Sequence, residues 1–254
     1  YYEGTASSTD FFEAERLLKE PANQGSPWAC FLLGNIYFHG LAANKKDPHA
    51  AFPFYLKAAE KGHAAAQNML GYMYFKGLGV EKDLSKAIQW YEKAADNGIL
   101  GAQTTAAFWY YKGIGVQKDS SKALSLAQKA AANGSAWAAN FLGFLFESGE
   151  FGQPNFDEAE KWYLMGAFIG SPEAEYSLGS LYLQKDWAKR DPEKGMEWYL
   201  KAAAKRHPET LNTLGWRYDN GIDVPKDYFE AFKWFQLAAM QGLPVGQANL
   251  GEMY

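Results

Sequence analysis

A Leu-Gly pair recurs along this chain at a nearly constant interval. It stands at Leu33-Gly34, Leu70-Gly71, Leu142-Gly143, Leu178-Gly179, Leu214-Gly215 and Leu250-Gly251, and Ala106-Ala107 holds its place once. The first step is 37 residues and every later one is 36. A fixed period of this size specifies a solenoid, in which each small unit buries its apolar face against the next. Such a chain offers a surface for holding a partner more readily than a cleft for chemistry.

One unit, residues 63 to 98, shows the pattern. Ala66, Leu70, Gly71 and Tyr74 lie at offsets 0, 4, 5 and 8, which places them on one face of a helix. Ala87, Trp90, Tyr91, Ala94 and Ala95 mark a second helix, starting near Leu84. Gly77 and Gly79 punctuate the connection between them. Four residues before each second-helix Ala position stand Asp10, Asp47, Asp83, Asp119, Asn155, Asp191 and Asp227, all expected N-caps. The closing position reads Gly25, Gly62, Gly98, Gly134, Gly170, Arg206 and Gly242, and glycine suits a helix C-terminus. Pro27, Pro172, Pro208 and Pro244 open first helices, where a missing N–H costs nothing.

The segment Ala66 to Gly98 reads A-x-x-x-L-G-x-x-Y-x-x-G-x-G-V-x-x-D-x-x-x-A-x-x-W-Y-x-x-A-A-x-x-G. This pattern resembles the Sel-1-like repeat family, a relative of tetratricopeptide solenoids. The resemblance covers essentially the whole chain. It implies an all-α fold, a right-handed superhelical α/α solenoid of antiparallel helix pairs, with first helices on the concave side. It also implies adaptor or scaffold roles, and a periplasmic, secreted or endoplasmic-reticulum setting. Repeats are expected at 26–62, 63–98, 99–134, 135–170, 171–206 and 207–242, with a half repeat at 1–25 and a truncated one at 243–254. The chain therefore reads as one repeat domain cut from something longer. Departures fall at Ala106-Ala107, Leu126-Ala127 (for Trp-Tyr), Phe146 (for Tyr), Pro21 (for Ala) and the glycine-free stretch Lys185 to Arg190.

Bulk properties fit this reading. Hydrophobic residues make up 48% and aromatics 17%, ample for a stacked core. The net charge is −4, with Lys and Arg scattered, so no phosphate-neutralising stripe for nucleic acid is visible. Cys30 is the one cysteine, which rules out an internal disulfide and places a small packing residue beside Ala29. No apolar run is long enough to span a membrane, and Tyr1 to Asp10 does not read as a signal peptide.

Chemistry is hard to assemble. His39, His49, His63 and His207 are not paired with one another or with Cys30 at metal spacing. Gly77-Leu-Gly79 and Gly113-Ile-Gly115 lack the Lys-Ser/Thr of a phosphate loop. No catalytic residue, metal site or cofactor is expected. The resemblance also brings a hydrolase alternative, because some cysteine-rich members have been linked to β-lactams. One cysteine and no suitably placed Ser-x-x-Lys argue against it. Trp-Tyr pairs such as Trp90-Tyr91 could stack bases, but they recur at core positions without a basic groove.

The expected partner is a protein or peptide, and the oligomeric state is left open. Six residues after the first-helix Ala position, opposite its core face, stand Asn35, Tyr72, Phe108, Phe144, Ser180, Trp216 and Glu252. Four of these seven are large aromatics, although stacking demands nothing there. The expected binding surface is a groove through Asn68, Tyr72, Phe108, Asn140, Phe144, Tyr176, Asn212 and Trp216. Aromatics supply contact area at low entropic cost, and asparagine bonds both N–H and C=O of a peptide. Lys76 and Lys112 add a modest preference for acidic groups. Two other readings compete. One packs the aromatics between neighbouring first helices, and the other makes the chain a spacer in a membrane-associated complex.

Overall fold

The computed structural model describes residues 8–42 and 45–254. Among them are fourteen α-helices and no strand. They fall into two compact units, residues 1–130 and 131–254. In the first unit, the first helices are α2 (Pro27–His39), α4 (Ala64–Lys76) and α6 (Leu100–Lys112). Their partners are α3 (Pro48–Glu60), α5 (Leu84–Asp96) and α7 (Ser120–Ala132), whose end crosses into the second unit, and α1 (Ser8–Asn23) precedes them. In the second unit, α8 (Ala136–Glu147), α10 (Pro172–Tyr182), α12 (Pro208–Asn220) and α14 (Pro244–Glu252) are first helices. Between them run α9 (Phe156–Ile169), α11 (Pro192–Ala204) and α13 (Tyr228–Met240). From α1 to α6, and again from α8 to α14, each helix packs on the next in sequence.

Capping follows the sequence closely. Asp47, Asp83, Asn155, Asp191 and Asp227 each accept a backbone N–H in the first turn of the helix they precede. Asp119 does the same for Lys122 at 2.8 Å. Asp10 corrects the series: helix α1 starts at Ser8, so Asp10 lies inside its first turn and not at its cap. A carboxylate there still faces the positive end of the helix dipole. The closing residues take left-handed backbone angles, and Arg206 does so without being glycine, at φ 59°.

The Leu-Gly beat has a packing cause. The leucines Leu33, Leu70, Leu142, Leu178 and Leu214 are fully buried. The glycine beside each receives an aromatic ring from the following helix, a tyrosine in four cases and a phenylalanine in one. A Cβ on Gly71 would lie 2.7 Å from Tyr91. Gly34 meets Tyr55, Gly143 meets Tyr163, Gly179 meets Tyr199 and Gly215 meets Phe235 in the same way. Ring and glycine are therefore one lock per repeat, each burying an aromatic side chain worth roughly 2–3 kcal/mol. Burial also pushes the Tyr91 hydroxyl up to about 12.

The irregular repeats become intelligible on this basis. Ala107 stands where the glycine belongs, and Ala127 stands where the ring belongs, so the two changes compensate. Nearby, Trp109 is buried against Tyr91 and Phe75, at 5.5 and 5.2 Å between ring centroids. The stretch Lys185 to Arg190 closes without glycine by turning Trp187 inward. Its ring packs 5.2 Å from Tyr182, and its indole N–H donates to Asp157 at 3.1 Å. Cys30 is buried, with its thiol directed to the Ala22 carbonyl.

Candidate partner-binding face

The buried stripe of each first helix fixes what its other side presents. On α4 the buried residues are Ala66, Gln67, Leu70, Gly71 and Met73, which leaves Tyr72 and Lys76 outward. The same rotation leaves Phe108 and Lys112 outward on α6, Phe144 on α8 and Trp216 on α12. Tyr72 is 37% exposed, Phe108 36%, Phe144 42% and Trp216 46%. Core aromatics in this chain, such as Tyr55, Tyr91 and Tyr163, are almost wholly enclosed.

Within the first unit, Tyr72 contacts Phe38 edge-on at 6.4 Å. The ammonium of Lys76 sits 4.7 Å from the Phe75 ring centre. That of Lys112 lies 4.8 Å from Tyr111 and 6.0 Å from Phe108. Each lysine is held over an aromatic surface by cation–π attraction. Asn68 is half-buried beside them. At the start of α4, His63 caps the helix by accepting the Ala66 N–H at Nδ1, 3.3 Å away. Its ring stacks on Phe31 at 4.4 Å and lies 5.5 Å from Trp28. Burial lowers the His63 pKa from its ordinary 6.5, offset in part by its own backbone.

Within the second unit, α8 carries an aromatic row. Trp137 stacks on Phe141 at 5.0 Å, and Phe141 lies 6.4 Å from Phe144. Tyr176 is half-buried between Tyr199 and His207, at 5.5 and 5.4 Å. The asparagines do more than face outward. The Asn140 side-chain carbonyl accepts from Ser177 at 2.9 Å, and that of Asn212 accepts from Asn249 at 2.9 Å. Each bond ties a first helix to the next one. For Asn140 and Asn212 this engages one lone pair of the side-chain carbonyl in the stacking of repeats.

The residues of the expected groove thus sit in two sets. Asn68, Tyr72, Lys76, Phe108 and Lys112 belong to the first unit, and Asn140, Phe144, Tyr176, Asn212 and Trp216 to the second. Among the described residues no three His, Cys, Asp or Glu side chains gather to hold a metal. No described helix is long and apolar enough to cross a membrane.

A model of the Sel1 repeat matches six stretches: 29–63, 64–99, 101–135, 138–167, 172–207 and 208–243. The chain belongs to the Sel1 repeat family. Among solved structures it is similar to c5321, a protective antigen of uropathogenic Escherichia coli with an SLR fold. That likeness has TM-score 0.80 and 30% identity, and covers 94% of this chain and 51% of that one. A Sel1 repeat protein from Oxalobacter formigenes matches with TM-score 0.72 and 31% identity, over 87% of this chain and 86% of that one. A curated relative is the ERAD-associated E3 ubiquitin-protein ligase component HRD3A of Arabidopsis thaliana. It is 31% identical over 64 residues, which is 25% of this chain and 9% of that protein. The chain spans about half the length of the E. coli antigen and under a tenth of HRD3A. Sel1 repeats are commonly protein-interaction scaffolds, and the fold is typically non-catalytic.

Several features of the face escape a reading of the Sel1 pattern alone. The Asn140–Ser177 and Asn212–Asn249 bonds join residues 37 apart, one repeat plus one residue. A search for polar pairs at the repeat period would have found them. Trp137 stands just before the Ala138 position, outside the row six residues after it. Its stacking on Phe141 carries the aromatic surface toward the start of α8.

Proposed function

We propose that this chain is a non-enzymatic protein-interaction scaffold that holds a peptide or protein segment on the outward faces of its first helices. The observation that carries this reading is the exposure of Tyr72, Phe108, Phe144 and Trp216, four large aromatics at one and the same repeat position. Large aromatics left in water have an unfavourable cost that a bound partner relieves. Their exposure favours binding over a packing role. The Sel1 membership supports the same class of function, and HRD3A, itself named as a component of a ligase, is a relative of that kind. Asn68, Tyr72, Lys76, Phe108 and Lys112 are proposed as contact residues of the first unit, Asn140, Phe144, Tyr176, Asn212 and Trp216 as those of the second, and the repeat boundaries given above as the repeating units.

The test is capture of partners on immobilised chain, repeated with Trp216→Ala and Phe108→Ala. The expected outcome is loss of specific partners in at least one variant, with melting temperature held within a few degrees of the parent. Unchanged recovery in both variants would refute the reading.

A further inference from the structure

The first helices of the two units carry opposite charge. Neither α2, α4 nor α6 contains an Asp or Glu, and their charged residues are Lys76 and Lys112, with His39 besides. By contrast, α8, α10, α12 and α14 carry Glu147, Glu173, Glu175, Glu209, Asp219 and Glu252 against one cation, Arg217. The whole units follow suit: residues 1–130 hold 14 Lys and Arg to 12 Asp and Glu, and residues 131–254 hold 11 to 17.

We infer that the first-helix face of the first unit takes an acidic peptide segment, its carboxylates on Lys76 and Lys112 and its apolar side chains on Tyr72 and Phe108. This rests on the reading of that face as partner-binding and adds the chemistry of the partner. Charge complementarity is the argument. Both lysines are exposed, both are steadied over aromatic rings, and no carboxylate on the same helices neutralises them. An acidic segment finds attraction at both lysines, and a basic one finds repulsion there.

The repeat geometry sets a spacing. Helices α4 and α6 are direct neighbours through Phe75 and Trp109, at 5.2 Å. Packed helix axes lie about 8–10 Å apart, and an extended peptide advances about 3.3 Å per residue. Acidic residues three apart therefore match Lys76 and Lys112, which occupy the same place in consecutive repeats.

The experiment is fluorescence anisotropy on the full chain with two labelled synthetic peptides. One carries Glu at every third position among Leu, Tyr and Ser, and the other has Gln in place of Glu. The acidic peptide should bind at least about tenfold more tightly than its Gln counterpart and weaken as salt rises. The Lys76→Glu/Lys112→Glu variant should lose about tenfold or more, and Tyr72→Ala/Phe108→Ala should weaken it as well. Circular dichroism melts accompany both variants, and these exposed positions should leave the transition in place. Acidic binding indifferent to the lysine variant, or to the aromatic variant, overturns the inference. Failure of both peptides to bind also overturns it. Equal binding of both peptides, lost in Tyr72→Ala/Phe108→Ala, overturns the acidic preference and leaves the partner-binding reading of the face standing.

Discussion

Gln67 and Glu175 occupy the same place in their repeats, and the difference between them is instructive. Gln67 donates to the Ala59 carbonyl at 3.2 Å and accepts from Asn97 at 2.9 Å. Gln103 repeats the donation to Ala95 at 3.1 Å. Glu175 keeps the outer partner, pairing with Lys205 at 2.8 Å. A carboxylate has no N–H to give inward, and among the described residues its Oε2 lacks a hydrogen-bond partner. Glu175→Gln should stabilise the chain by about 1 kcal/mol, since a buried orphan acceptor is replaced by a donor where a carbonyl waits. Lys205 stays partly exposed and retains the Gly170 carbonyl. Urea titration measures this, and a drop in the midpoint would contradict it. Arg206 offers a second case. Its φ of 59° is the conformation glycine takes at six equivalent positions. Arg206→Gly should gain about 0.5 kcal/mol, the relief of left-handed strain less the added freedom of the unfolded chain. The caps and closing glycines were legible because one sequence holds seven copies of each position. The inner carbonyl that Gln67 and Gln103 reach was not, because it belongs to a different helix eight residues back.

At the scale of the element, the unit of stability is the glycine–ring lock between paired helices. The lock was invisible in the sequence as a pair, because its partners lie 20 or 21 residues apart and the pattern shows each merely as a recurring letter. The alanine pair reveals it. Ala127→Tyr alone should destabilise the chain by about 2 kcal/mol, because the ring meets the Ala107 methyl. Ala107→Gly in the same molecule should recover most of that, giving a coupling of about 1–3 kcal/mol in a double-mutant cycle. Additive effects would show that the two positions do not share a contact. The His63 cap gives an element-level pH dependence. Only neutral His63 can accept the Ala66 N–H at Nδ1, and its folded pKa is lowered by burial. Its contribution is therefore complete above the ordinary value of 6.5 and is lost as pH falls through the lowered one. His63→Ser, the residue already capping α2, α8 and α10 from Ser26, Ser135 and Ser171, should flatten the loss of stability on acidification. Melting curves across pH 7 to about 5 check this, and an unchanged slope would count against the cap.

Over the whole molecule, the repeats divide residues into those stacking requires and those it leaves over. The all-α paired-helix array followed from the 36-residue period, since a fixed beat of Leu-Gly, Asp cap and closing Gly permits little else. The outward aromatics were found by helical rotation alone, but whether they pack or face water depends on the tilt between neighbouring repeats, which no single-helix wheel encodes. The opposite charge of the two sets of first helices was hidden in an overall −4. The central claim is that Tyr72, Phe108, Phe144 and Trp216 serve a partner and not the core. It is tested most directly by partner retention on the variant with all four changed to Ala, read beside its melting temperature. The account predicts a folded chain that melts within a few degrees of the parent and has lost its specific partners. A folded variant that keeps them all, or one whose melting collapses, would contradict it.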